Sequence, residues 1–79
     1  MRPAAVRDLA KLEIPRRLKI VQKIDSLALN PRPPGVEKRA GRDNRYRVRN
    51  GDYRIIYEIY DQVLLVLVVR IGHRREVYR

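Results

Sequence analysis

The spacing of apolar positions changes once along the chain, near residue 30. Before that point apolar residues recur every three or four positions, which is typical of amphipathic helices. Pro3 suits the first turn of one helix and Pro15 the first position of a second. The predicted apolar stripes are Val6, Leu9, Ala10 and Leu12 in the first helix, and Leu18, Ile20, Val21, Ile24, Leu27 and Ala28 in the second.

Turn-forming residues and strands follow the helices. The sequence NPRPPG at 30–35 ends the second helix, and from Arg45 onward the apolar period is two. We predict strands that begin at residue 45, at residue 52 and at residue 63, with a turn near Asp61 between the last two. The strand at 63–71 is apolar on both faces, which favours a position in the middle of the sheet.

The pair Asn50-Gly51 is a strong hairpin signal and fixes a register if these two residues form the loop. The predicted cross-strand pairs are then 49 with 52, 48 with 53 and 47 with 54. Cross-strand partners share a face of the sheet. The predicted helix-facing positions are therefore Tyr46, Val48, Tyr53, Ile55, Tyr57 and Ile59. The other face gathers Arg47, Arg49 and Arg54, and Glu58 falls on the same side.

These elements predict an α+β fold in which an N-terminal antiparallel helical hairpin packs on one face of a small, mainly antiparallel β-sheet. At 79 residues the chain has room for a single domain, 1–79, with a thin core.

Composition excludes several classes of site. The chain has no cysteine, one histidine (His73), one serine and no threonine. Disulfide frameworks, zinc sites with several histidines and hydroxyl-nucleophile triads are therefore excluded, and we expect no metal and no cofactor.

The net charge of +10 predicts a polyanionic partner: a nucleic acid, an acidic protein or a membrane surface. The longest apolar run, 63–69, has seven residues, whereas a spanning helix needs about 20. The N-terminus also lacks the apolar run of a signal peptide. We therefore expect a cytoplasmic protein without membrane contact.

Arginine is segregated to the second half of the chain. Residues 41–79 hold nine arginines and no lysine, whereas residues 1–40 hold four lysines. A guanidinium grips phosphate through two donors and stacks on bases, which an ammonium cannot do. The crowding of arginines on one sheet face therefore favours a phosphate-binding surface; the alternative is a solvated face in an arginine-rich protein.

Two strings carry a family resemblance: YRVRNGDYRIIYEI at 46–59 and VVRIGHRREVYR at 68–79. Together with the NPRPPG loop and AGRDN at 40–44, they resemble the RelE group of the RelE/ParE toxin superfamily. The resemblance implies a small toxin that enters the ribosomal A site and cleaves mRNA without a metal. It also implies a cognate acidic antitoxin encoded beside it as a protein partner, with the ribosome and mRNA as targets.

The resemblance also implies a site. The family's basic pair on the first hairpin strand corresponds to Arg47 and Arg49, and its other positions correspond to Arg54, Arg74 and Tyr78. We expect Arg54, Arg74, Tyr78 and His73 to act in catalysis, and Arg45, Arg47, Arg49 and Arg75 to bind RNA.

Two features depart from the family pattern. Family members usually begin with a short strand, and here a helix is predicted almost at once, so that strand is expected to be missing or truncated. Some members carry lysine where this chain has Arg47 and Arg49, and arginine is a poor proton acceptor. Either His73 is the general base, or no protein group is and the crowded cations lower the pKa of the 2′-OH; the second is slightly favoured.

Two other functions remain open at this point. One is a ParE-like toxin that inhibits DNA gyrase, although Arg74 and Tyr78 in the sequence GHRREVY favour the nuclease. The other is a basic RNA-binding module without catalysis.

Overall fold

Two helices precede an antiparallel sheet, as predicted. In this computed structural model, which describes residues 1–39 and 44–73, the elements are α1 (Pro3–Ala10), α2 (Ile14–Leu29), β1 (Glu37–Lys38), β2 (Arg45–Asn50), β3 (Tyr53–Tyr60), a 3₁₀ turn (Asp61–Val63) and β4 (Leu65–His73). The strands form one sheet of order β1-β2-β3-β4 in which every neighbouring pair is antiparallel. The predicted fold class is confirmed.

The helices bury only part of the predicted apolar stripes. In α1 the buried residue is Ala5, while Val6 is 52% exposed. A small side chain at this position lets α1 approach β4 closely. In α2, Ile20 and Leu27 are buried, whereas Leu18 is exposed. Of the predicted stripe of α2, Ile20, Ile24 and Leu27 therefore face the sheet, and Leu18 does not.

The position of β4 in the sheet also differs from the prediction. Among the described residues β4 lies at the edge, and β3 is flanked by β2 and β4. The sheet is a simple meander, which leaves its last strand outermost. The two-residue β1 pairs with β2 on the other side and was not predicted. Of the described residues, Met1 and Arg2 precede α1, and the Arg2 N–H donates to the Val68 carbonyl at 2.9 Å.

The β2–β3 hairpin turns one residue later than predicted. Asn50 pairs with Tyr53, so the loop is Gly51-Asp52, and among these two only Gly51 has a positive φ, of 61°. A glycine at the first central position is typical of a type II′ turn rather than the expected type I′. The predicted register was therefore wrong by two positions, and Arg54 opposes Arg49 instead of Arg47.

The faces survive this error because a two-residue shift preserves the alternation of a strand. The helix-facing side of β2 and β3 supplies most of the core, as predicted. The core cluster comprises Ala5, Ile20, Leu27, Tyr46, Val48, Ile55, Tyr57, Ile59, Val68 and Ile71, with Tyr53 packed against it.

Candidate nucleic-acid interface

An arginine face covers the side of the sheet opposite the helices. We define it as Arg45, Arg47 and Arg49 of β2 together with Arg54 of β3. Alternate residues of a strand point the same way, and cross-strand partners share a face, so the pairing of Arg49 with Arg54 joins the two strands. Arg47 opposes Ile56 and is thus the diagonal neighbour of Arg54.

Two glutamates neutralise part of this face. Arg47 Nη2 donates to Glu37 Oε2 at 2.7 Å, and Arg45 Nη2 donates to Glu58 Oε2 at 2.6 Å. The hydrogen bond from Arg47 lowers the pKa of Glu37, and that from Arg45 lowers the pKa of Glu58. Both carboxyls are therefore charged at neutral pH, and each holds one arginine in place.

Burial separates the two pairs. The side chain of Glu58 is 5% exposed, and it also accepts a hydrogen bond from the Tyr60 hydroxyl at 2.7 Å. The side chain of Glu37 is 55% exposed. Arg45 is therefore built into the sheet by a buried carboxylate, whereas the partner of Arg47 stands in solvent and can be displaced.

Arg49 and Arg54 lie directly opposite each other on neighbouring strands but differ in solvent exposure. Arg49 is exposed, and Arg54 is 4% exposed as a whole residue. Like charges directly opposite each other in a sheet repel, so this arrangement costs folding free energy. Arg49 is the cation of the face that solvent reaches most readily, and Arg54 is a cation beneath it.

His73 lies on the other side of the sheet. It pairs with Tyr53, and the two rings meet edge to face with centroids 5.8 Å apart. Tyr53 faces the helices, because the Arg16 guanidinium of α2 lies 5.3 Å from its ring centroid. His73 therefore lies on the opposite face of the sheet from the arginines with which it was expected to act.

Three of the expected site residues, Arg74, Arg75 and Tyr78, lie outside the described residues. Of the remaining five, the structure brings together Arg45, Arg47, Arg49 and Arg54 and separates His73 from them.

Sequence reasoning missed Glu37 and the cross-strand partner of Glu58, the two carboxylates that organise this face. Glu37 lies on a strand too short to show a period, and under the predicted register Glu58 had no partner on β2. The shifted register places Arg45 directly opposite Glu58. The alternation of Glu58 with Ile59 on β3 correctly predicted that Glu58 points to the arginine face.

The chemistry open to this surface is that of fixed cations. Within the described residues no group of three or more His, Cys, Asp or Glu side chains could hold a metal ion. No helix among those residues is long and apolar enough to cross a bilayer. Guanidinium groups bind phosphate and stabilise negative charge that develops on it, which suits a polyanionic ligand.

Comparisons with known proteins agree on a family. The chain matches the family described as ParE toxin of type II toxin-antitoxin system, parDE, over residues 1–78. It is 36% identical over 77 residues to Toxin RelG of Mycobacterium tuberculosis, a match that covers 95% of this chain and 87% of that protein.

Two solved complexes share the fold. The toxin–antitoxin complex RelBE2 from Mycobacterium tuberculosis contains a chain 28% identical to this one, with a TM-score of 0.79 and coverage of 92% of this chain and 91% of that chain. The archaeal RelE–RelB complex from Pyrococcus horikoshii contains one 25% identical, with a TM-score of 0.81 and coverage of 96% and 92%.

Proposed function

This chain belongs to the ParE toxin family of type II toxin–antitoxin systems, and we propose that it is a ribosome-dependent mRNA endoribonuclease of the RelE type. The observation that carries the proposal is the arginine face. The β2–β3 register gathers Arg47, Arg49 and Arg54 on the side of the sheet that the helices leave open. The 36% identity to Toxin RelG supports the RelE-type assignment within the superfamily.

The proposed reaction is an internal attack within the RNA, carried out on the ribosome. The 2′-oxygen attacks the adjacent phosphorus in line, the bond from phosphorus to the 5′-oxygen breaks, and a 2′,3′-cyclic phosphate remains. One proton passes from the 2′-hydroxyl to water, and the departing 5′-oxygen gains one from water. The enzyme aligns the attack and stabilises the extra negative charge on the phosphate oxygens.

We assign the cations distinct roles. Arg49 is exposed and meets the RNA backbone first, together with Arg47 once its solvent-exposed partner Glu37 gives way. Arg54 acts as a fixed positive charge under the scissile phosphate. Because it is 4% exposed, direct contact requires its surroundings to rearrange as the substrate binds. Arg74 adds a second charge, Tyr78 stacks on a base, and Arg75 binds the backbone.

We assign no protein group as the general base. The crowded cations lower the pKa of the 2′-hydroxyl, which makes its proton easier to lose. A general base must lie within hydrogen-bond reach of the proton that it takes. His73 packs against Tyr53 on the helix side of the sheet, which argues against that role.

An acidic antitoxin completes the proposal, and the net charge of +10 supports it. The two complexes with the same fold each contain a toxin and its antitoxin. We place this partnership, like the ribosome, in the cytoplasm.

A second candidate, a ParE-like toxin that inhibits DNA gyrase, is favoured by the family description itself, which names a ParE toxin. The two functions predict different activities for one purified protein. The nuclease cuts mRNA on programmed ribosomes, and the gyrase inhibitor blocks supercoiling and leaves mRNA intact.

The test compares four proteins: wild type, Arg49→Ala, Arg54→Ala and the matched control Arg7→Ala. Arg7 is an exposed arginine of α1, so its loss changes the net charge equally without touching the arginine face. We expect wild type and Arg7→Ala to cleave A-site mRNA, and Arg54→Ala to lose at least a hundredfold in single-turnover rate. Equal rates for Arg54→Ala and Arg7→Ala would refute the proposed site, and inhibition of supercoiling without mRNA cleavage would replace the proposed function by the second candidate.

A further inference from the structure

The three most exposed large apolar side chains of the described residues lie where α2 ends and β3 turns into β4. Leu64 is 94% exposed, Leu29 is 91% exposed and Val63 is 70% exposed. A single exposed leucine is ordinary, but a cluster of them on a small domain marks an interaction surface.

Between Leu29 and Leu64 lies a groove of about 180 Å³. One wall comes from the end of α2 and the segment after it, and the other from the β3–β4 turn. The side chains that form the two walls are Ala28, Leu29 and Pro31 on one side and Tyr60, Leu64 and Leu65 on the other.

The walls are tied to each other and to the core. The Arg32 guanidinium donates two hydrogen bonds to the Asp61 carboxylate, at 3.1 and 2.9 Å, which join the segment after α2 to the turn. The Tyr57 hydroxyl donates to the Pro31 carbonyl at 2.6 Å. A groove held in this way needs little reorganisation to receive a ligand, which favours binding.

The backbone conformation of Leu64 indicates that its side chain has a role other than folding. Leu64 is the one described residue other than glycine with a positive φ, of 52°. Glycine or asparagine adopts this conformation more readily, and an exposed leucine gains no burial in return. Retaining a leucine here costs stability and keeps an apolar side chain at the rim of the groove.

Charge indicates what kind of partner covers the groove. At its Tyr60 end the groove opens towards the arginine face, because the Tyr60 hydroxyl donates to Glu58, which in turn pairs with Arg45 and Arg2. A second copy of this chain, also at +10, would be repelled. An acidic partner is attracted.

We propose that this groove receives an apolar segment of the antitoxin, and that acidic residues following that segment lie on the arginine face. The inference rests on the proposed function for the identity of the partner. It adds an anchoring point remote from the reacting groups, from which one antitoxin segment would cover the RNA-binding arginines and so neutralise the toxin.

Two variants remove the anchor without threatening the fold. Leu64→Gly deletes the side chain and relieves the backbone, so its Tm should equal or exceed that of wild type. Leu29→Gln puts a polar amide in place of the apolar end of a side chain that is 91% exposed, so it should leave folding stability unchanged. The matched control is Leu18→Gln, because Leu18 is also an exposed leucine of α2, at 58%, and does not line the groove.

The experiment measures binding of each purified variant to the purified product of the gene beside this one. We expect Leu64→Gly and Leu29→Gln each to weaken binding at least tenfold, since burial of a leucine side chain contributes at least that factor, and Leu18→Gln to bind as wild type. Equal binding by all four proteins would refute the proposal that the groove binds the antitoxin, and it would not affect the proposed function.

Other outcomes separate the two proposals. Loss of binding in the groove variants together with a wild type that cuts no ribosomal mRNA would support the groove and refute the nuclease. A wild-type homodimer that Leu64→Gly dissociates would overturn the assignment of the groove to an antitoxin. No binding by the wild type would overturn it as well.

Discussion

The two glutamate–arginine pairs of the arginine face test how burial changes the contribution of an ion pair to the free energy of unfolding. Glu58 and Arg45 approach to 2.6 Å, and Glu37 and Arg47 to 2.7 Å. The carboxylate side chains, however, are 5% and 55% exposed. Glu58→Ala and Glu37→Ala therefore remove the same group at nearly the same distance from an arginine, and Glu58→Ala also removes contacts with Tyr60 and Arg2.

The expected costs differ several-fold. Breaking a buried pair by removing one partner costs about 3–5 kcal/mol, because the remaining charge is left without compensation. Arg45 is 23% exposed, so water compensates part of the loss and we expect about 3 kcal/mol for Glu58→Ala. For Glu37→Ala we expect at most about 1 kcal/mol, the usual value of an exposed pair.

Thermal unfolding measures the difference directly. In a domain of this size, about 1 kcal/mol corresponds to roughly 4–8 °C in Tm. Glu58→Ala should thus lower Tm by about 12–24 °C, and Glu37→Ala by no more than about 8 °C. Equal shifts in the two variants would refute the argument that burial makes Arg45 structural.

The pH dependence gives an independent check. The pKa of Glu58 is lowered in the folded state by the hydrogen bond from Arg45, so its stabilisation is present above its unfolded pKa of about 4.3 and is lost as pH falls through the lower native value. The difference in unfolding free energy between wild type and Glu58→Gln should therefore shrink below about pH 4. A difference independent of pH from 7 to 3 would contradict it.

Three further predictions concern the hairpin and His73. Arg49→Ala should raise stability by up to about 0.5 kcal/mol by relieving repulsion with Arg54, and should weaken binding of a short RNA with a shallower salt dependence; unchanged salt dependence would contradict it. Gly51→Ala should cost about 1–2 kcal/mol in chemical denaturation, since φ is 61° and the added Cβ would lie 2.9 Å from Arg16 Nη1; an unchanged midpoint would count against the turn geometry. His73→Ala should cleave within a few-fold of wild type, with a single-turnover rate that still climbs above neutral pH; a loss of a hundredfold or more would restore His73 as the base.

Periodicity predicted the parts of the fold that depend on alternation. The helix-facing set on β2 and β3 was correct although the loop was misplaced, because the displacement was two residues and the alternation has a period of two. The cross-strand partners depend on the loop itself. The glycine of Asn50-Gly51 supplies the positive φ, but Asp52 and not Asn50 completes the turn.

Other features depended on tertiary packing that a single sequence does not encode locally. Ala5 is buried and Val6 exposed because close approach of α1 to β4 favours the smaller side chain. The apolar strand β4 lies at an edge, where its second face remains partly exposed. Glu58 was placed on the correct face, but its burial depends on its pairing with Arg45.

We propose that this chain cuts mRNA in the ribosomal A site through attack by the 2′-hydroxyl. The most direct measurement is to map the RNA ends that the purified wild-type protein produces on programmed ribosomes and on the same mRNA without ribosomes. We expect cuts at the A-site codon that leave a 2′,3′-cyclic phosphate, and intact mRNA when ribosomes are omitted. Intact mRNA on programmed ribosomes, or products that end in a 3′-hydroxyl, would contradict it.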